Sequence, residues 1–330
     1  MDVQFDPFTL TYGLLMDENA DKDCKENEWE FRSLNYDAGD TKIPEAIPLE
    51  PHEIDNWVER TTSMIKPPGL DLLLARHQRF GSQDIPSKWF PLRPARMRRV
   101  FRGLSLHEAF FDMRVLSAQA GGMNFYTSRN EKNEVTELNF LIRPAHSSHF
   151  QYSSNWSWAF TWNACTGRMT GFLDGMTDQD IDDLKLYLKS ASPELGHPLM
   201  LPELLLSLIY KHLNVRIRIP AEQDYFAIER GAGISRVQSE GTVWDWSPER
   251  FQDSTKKANT FMTTLAYLQG RFPFARQLAE RMAKTLKRLE TEEFADSTIK
   301  ERLITGRAKR AERLENWLYQ FQTATNQVAS

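Results

Sequence analysis

Four carboxylates crowd one short stretch: Asp178, Asp180, Asp182 and Asp183. Asp178 and Asp182 are four apart and share a helix face. Oxygen donors of this kind suit a hard divalent cation. The plainer reading is that carboxylates near a helix start favour its positive end, by about 0.3–1 kcal/mol each. His146 and His149 have His-x-x-His spacing. Zinc takes three or four protein ligands, and no Cys or His lies close in sequence, so they read as a pair of loop histidines. Arg93, Arg96, Arg98, Arg99 and Arg102 surround Phe101. They suit phosphate or an acidic partner such as the N-terminal segment. A nucleic-acid footprint comes with a more basic domain, and the pI near 6.0 argues against one. Cys165 has Arg168 nearby, but nothing around it assembles a triad, so it reads as a bystander thiol. No Gly-rich phosphate loop, nucleophile elbow or His-Glu-x-x-His is present. No catalytic residue, cofactor or metal site is assigned from the sequence.

The elements that would position these groups fall in three segments. An acidic N-terminal extension spans 1–50, an α/β domain 51–250 and a helical stalk region 251–330. Residues 17–50 are polar and Pro-punctuated and read as loop or loosely docked extension. Pro51 opens a helix in which Ile54, Trp57 and Val58 share a face. Leu70–Leu74 is an apolar run that ends near a turn at Gly81–Pro86. Strands are expected at Met113–Gln119, Met123–Thr127 and Val135–Ile142. In Trp156–Trp162 the residues Trp156, Trp158, Phe160 and Trp162 alternate with Ser157, Ala159 and Thr161, the period of a strand with one heavily buried face. That aromatic row reads as core rather than as a ligand platform. A turn at Asn163–Gly167 returns the chain into Arg168–Leu173.

Helices follow. Thr177 and Asp180 make a capping-box variant, with Ile181, Leu184 and Leu188 as the apolar stripe and Pro193 as the stop. Leu201–Leu213 is a second helix. Val215–Ile219 is ambiguous between strand and helix. Pro220 starts a third helix that ends near Gly231. Trp244 and Trp246 anchor the next, Asp253–Leu268. The last sixty residues read as helix. There Ala311, Leu314, Leu318 and Phe321 keep three-four spacing, enough for helix packing but under three heptads.

Charge is uneven. Residues 1–60 carry 16 Asp/Glu and 5 Lys/Arg, a net of −11, and residues 271–330 carry 12 Lys/Arg and 8 Asp/Glu, a net of +4. Two cysteines, Cys24 and Cys165, make no disulfide framework. The first residues lack a signal peptide, so a cytoplasmic location is expected. A membrane-spanning helix takes about 20 apolar residues. The best run, Pro198–Tyr210, is shorter and contains Pro202 and Glu203.

Four segments in order carry a family resemblance. They are His197-Pro-Leu-Met-Leu-Pro202, Ala227-Ile-Glu-Arg-Gly-Ala-Gly233, Trp244-Asp-Trp-Ser247 and Phe261–Leu268 with the long helices behind it. With the aromatic strand ahead of them they resemble the fungal CorA-like magnesium transporters, over residues 100–330. The resemblance implies an α/β cytosolic domain feeding a stalk helix, five protomers around a pore, and carboxylates that sense divalent cations between protomers. No local motif marks those positions here. The family's Gly-Met-Asn occurs at Gly122-Met123-Asn124, but ahead of the stalk, where a strand is expected, and reads as a chance match. The membrane pair does not follow.

The expectation is therefore an α/β protein with an antiparallel-rich central sheet, flanking helices and a long C-terminal helical stalk. Its leading function is non-catalytic: assembly or cation-linked regulation, as a homo-oligomer or by docking a partner's helix, through Leu314, Leu318 and Phe321. The alternative is an enzyme with a cleft between the sheet and helix 201–213.

Overall fold

The computed structural model describes residues 26–63, 66–77, 90–116, 121–145, 156–232, 247–294, 297–304 and 306–329. The chain divides into two compact units. One comprises Met1–Leu205 with Arg281–Arg313, the other Leu206–Glu280 with Leu314–Ser330.

The first unit is built on a seven-stranded sheet of order β2-β1-β3-β7-β6-β5-β4. Its strands are β1 (Trp29–Asp37), β2 (Ala46–Leu49), β3 (Gly69–His77), β4 (Gly122–Arg129), β5 (Val135–Arg143), β6 (Ser157–Asn163) and β7 (Arg168–Asp174). β4 to β7 form the expected antiparallel meander. β3 joins it in parallel with β7, and β1 and β2 add antiparallel to β3. The antiparallel-rich α/β class expected from the sequence is the one observed.

Two secondary-structure expectations need correction. Residues 17–50, read as loop or loosely docked extension, supply the strands β1 and β2. β1 inserts Trp29 and Phe31 into one core layer while Leu34 and Tyr36 are buried on the opposite face. Met113–Gln119 is not a strand where described. Ala109–Leu116 is a helix, because Phe110, Phe111 and Arg114 are buried together at one-turn spacing.

The meander has two buried faces rather than one, since β6 is buried at every residue from Ser157 to Trp162. One face, with Leu73, Ala75, Leu141, Ala159 and Phe172, packs under α1 (Ile54–Ser63), α2 (Pro94–Gly103) and α3 (Ala109–Leu116). Phe101 meets Phe110, Phe111 and Phe172 at ring separations of 5.2, 4.7 and 6.0 Å. Hydroxyls projecting from the sheet fix the end of α2. Thr170 donates to the Leu104 carbonyl at 2.7 Å and Thr161 to the Ser105 carbonyl at 2.8 Å. They satisfy acceptors that a helix C-terminus leaves open.

The other face carries the aromatic row. Phe160 stacks on Phe140 at 5.1 Å, and Phe140 meets Phe125 of β4 at 4.9 Å. Trp162 donates to the Gly196 carbonyl at 2.8 Å. On this side lies α4 (Asp178–Ser190), which begins at Thr177 with the expected capping box. The helix Pro248–Leu289 ends against β4, where Arg281 donates to the Met123 carbonyl and Arg288 to the Thr127 hydroxyl. Gly122-Met123-Asn124 thus lies in an ordinary strand.

The second unit is helical. α5 (Met200–Tyr210) leads through a π-helical stretch, Lys211–Arg218, into α6 (Ile219–Ala232). The ambiguous Val215–Ile219 is therefore helical. The remaining helices are α7 (Pro248–Leu289), α8 (Ser297–Ile304), which belongs to the first unit, and α9 (Arg307–Ala329). The sequence separates Asp253–Leu268 from the helix after it, but α7 continues through Gly270 and Pro273. In this unit Tyr210 packs edge-on against Trp317 and Phe321 of α9, at 5.2 and 5.7 Å.

Candidate functional site: a buried arginine pair at the sheet end

The groups put forward from sequence are mostly occupied. Asp178 bonds Arg76 and Arg32, which hold its carboxyl below the usual range. Asp180 accepts from the Thr177 backbone N–H at 2.9 Å and from Trp156 Nε1 at 3.2 Å. Asp182 pairs with Lys185, and Asp183 accepts from Gln179. The four carboxylates start a helix and tie down their neighbours.

Glu26, within the acidic segment, bonds Arg96 at 2.7 Å and the Arg93 N–H at 2.8 Å, and Asp55 bonds Arg99 at 3.0 Å. The basic cluster is thus partly neutralised inside the chain. Trp156, Trp158, Phe160 and Trp162 are core. Cys165 is an exposed free thiol. His146, His149, Cys24, Trp244, Trp246 and the turn Gly81–Pro86 lie outside the described residues. Leu314 and Phe321 are buried within the single chain, and Leu318 is half-buried. Leu201, Leu205 and Leu213 are buried. Grooves among the described residues run along α7 from Phe251 to Thr263 and along α1 from Glu53 to Ser63.

The most unusual chemistry lies elsewhere, on the sheet face under α1 to α3. Ala75, Asp174 and Ser157 pair in register across β3, β7 and β6, and Gly122 pairs with Arg143 across β4 and β5. Arg143 donates through Nη1 to the Ser157 hydroxyl at 2.5 Å, which closes the row. Asp174, Arg143 and Ser157 stand two residues from Phe172, Leu141 and Ala159, so alternation sends them to the same face. Arg114 of α3 comes over the row and bonds Asp174 through Nη1. Arg114, Arg143, Ser157 and Asp174 are each at most 1% exposed.

Two guanidinium groups thus face one carboxylate in a dry layer. Burial, and then Arg114 beside it, push the Arg143 guanidinium down to about 9, while Asp174 pulls the other way. Burial likewise pushes the Asp174 carboxyl up against the two arginines. Arg143 Nε and Nη2 have no hydrogen-bond partner, and neither does Asp174 Oδ1. A buried donor left unpaired costs about 1–3 kcal/mol. The row sits where β3, β5 and β7 end and β4 and β6 begin.

Sequence reading missed this site because its members are three charges and a serine, each at the end of a separate element. The available signal was Arg143 and Asp174 keeping the phase of the inward Leu141 and Phe172 two residues before them.

A second polar network surrounds His197. Arg310 and Arg313 each bond both Glu194 and Glu203. Burial pushes the Glu194 carboxyl up, but Arg313 and Arg310 outweigh it and hold it below the ordinary range. His197 Nδ1 accepts the Leu199 N–H at 3.1 Å, and its Nε2 has no partner.

Among the described residues no helix is long and apolar enough to cross a membrane, and no three His, Cys, Asp or Glu gather as metal ligands. No protein-family model and no curated protein matches the chain. Among solved structures it is similar to the ZntB cytoplasmic domain from Vibrio parahaemolyticus RIMD 2210633. The TM-score is 0.39 at 11% identity, over 91% of this chain and 97% of that one. At that score the likeness carries no argument about function.

Proposed function

We propose that this chain is a non-catalytic domain that works by assembly, docking the helices of its second unit against those of another copy. The observation that carries this reading is apolar exposure. Tyr319 of α9 and Phe251 and Met262 of α7 are 74%, 68% and 62% exposed. Phe226 of α6 is 55% exposed and lies beside Tyr225, which stacks on Phe261 at 4.7 Å. Large apolar side chains exposed on helices suit contact with another chain. The ordered segments resembling CorA-like proteins support the same reading. Leu318 remains a candidate contact. Leu314 and Phe321 are buried within the chain, so they are not surface contacts.

Cation linkage has less support, because the carboxylates best suited to a cation are engaged by arginines and caps. An enzymatic cleft beside 201–213 has no observation in its favour.

Sedimentation velocity across a hundredfold concentration range, with and without magnesium, tests the proposal. A concentration-dependent oligomer is expected. Phe226→Ser with Met262→Ser weakens it at least about tenfold, as loss of two apolar anchors at an interface does. A monomer at every concentration overturns the proposal. Association that occurs only with magnesium restores cation linkage.

A further inference from the structure

We propose that Arg143 forms the floor of a binding site for a small oxyanion, a carboxylate or a phosphate, at the end of the sheet where β5 and β7 finish. The inference stands apart from the assembly reading and rests on the order of donors around one guanidinium. Nη1 is spent on the Ser157 hydroxyl. The two nitrogens left without a partner, Nε and Nη2, are adjacent on one edge of the group. Their N–H bonds run parallel, the fork that receives two oxygens of one carboxylate or phosphate. A single acceptor or a water would use half of it.

Charge selects the same class of ligand. Among the described residues the row holds Arg114, Arg143 and one carboxylate, Asp174, whose Oδ2 already accepts from Arg114. Arg143 ends on a neutral hydroxyl and bonds no carboxylate among the described residues. Guanidinium does not shed its proton at neutral pH. An anion of charge −1 offsets that charge and satisfies both donors. Position agrees as well. Gly122, opposite Arg143 on β4, has no side chain to lie over the fork. The aromatic Phe90 packs beside Arg114, 5.3 Å from ring centre to guanidinium carbon. These surroundings favour a compact anion over an extended one.

Thermal denaturation of the full chain in low-salt, phosphate-free buffer, titrated with formate or phosphate, is the test. Sodium chloride at matched ionic strength is the control. A melting temperature that rises saturably with one anion, beyond chloride, is expected, because a ligand of the folded state stabilises it by mass action. The anion that saturates at the lower concentration identifies the ligand class. Arg143→Lys keeps the charge and loses the fork, so half-saturation moves up at least about tenfold. Arg99→Gln, on the exposed basic face, leaves it unchanged. If Arg143→Lys does not fold, crystals of the unaltered protein soaked in selenate or bromoacetate decide. An anomalous peak within hydrogen-bond reach of Nε and Nη2 supports the site. No peak there in either soak overturns it, as does a saturable shift that Arg143→Lys preserves.

Discussion

Arg168 grips Asp71 through two parallel hydrogen bonds, Nε to Oδ2 at 2.5 Å and Nη2 to Oδ1 at 2.9 Å, diagonally across the parallel strands β7 and β3. Its Nη1 reaches Asp37 at 2.6 Å and the Pro67 carbonyl at 2.8 Å, and Lys66 adds a bond to Asp71 at 3.1 Å. This cluster lies at the opposite end of the same sheet face from Arg143. Here every guanidinium nitrogen has a partner, which is the contrast that sets the Arg143 end apart.

Removing one partner of a buried ion pair strands the other, at about 3–5 kcal/mol. Asp71 is fully buried and Arg168 is 7% exposed. Asp71→Ala is therefore expected to lower stability by about 3 kcal/mol, the low end because Asp37 and Pro67 still hold the guanidinium. Urea unfolding measures it. A loss below about 1 kcal/mol shows that those two partners suffice.

The Arg168 cluster also depends on a residue with no side chain. A Cβ added at Gly69 would lie 2.4 Å from the Tyr36 carbonyl oxygen and 2.8 Å from Arg168 Nη1. The first contact is with the backbone of the neighbouring strand and cannot be relieved by a rotamer. Gly69→Ala is expected to cost about 1–3 kcal/mol, as overpacking does. Wild-type stability in this variant shows that β1 and β3 can shift apart at this pair.

What the sequence made legible follows from local rules. The alternation Trp156 to Trp162 predicts β6, because a period of two needs no partner to be seen. Thr177 and Asp180 predict the start of α4, because a cap acts within four residues. What was not legible depends on distant register. β1 was hidden because Glu28, Glu30 and Asp37 mask an inward Trp29 and Phe31. Reading from Met113 cut Phe110 and Phe111 out of the window and made a helix look like a strand. The Arg143 row exists only once β5, β6 and β7 pair in register and Arg114 of α3 comes over them, and nothing local to any one element states that register.

The cap of α4 joins two layers. Thr177 accepts the Asp180 N–H at 3.1 Å, and Asp180 returns the bond to the Thr177 N–H while holding the Trp156 indole. Thr177→Ala removes one hydrogen bond and is expected to cost about 1 kcal/mol. Asp180→Ala breaks the cap and leaves the Trp156 N–H without this acceptor, so its cost is larger, about 2–3 kcal/mol. Thermal melts of the two variants compare them. Equal losses refute a role for Asp180 beyond the cap.

His197 makes stability depend on pH. Burial lowers its pKa well below 6.5, and the positive charges of Arg310 and Arg313 lower it further. Folded, the ring stays neutral with Nδ1 accepting from Leu199; unfolded, it takes a proton below about 6.5. The unfolded state then binds more protons, so stability rises with pH in this window and falls as pH drops below 6.5 toward the folded pKa. The slope approaches about 1.4 kcal/mol per pH unit. Glu194 and Glu203 pair with the same arginines. Glu194 is held below its ordinary range, so its own loss begins only at lower pH. His197→Asn keeps an acceptor for the Leu199 N–H and removes the titration. Urea midpoints for both proteins at pH 7.0, 6.0 and 5.0 therefore separate the histidine from the carboxylates. The unaltered protein loses stability faster than the variant between pH 6 and 5. Parallel losses mean that His197 protonates in place, which the two guanidinium groups beside it oppose.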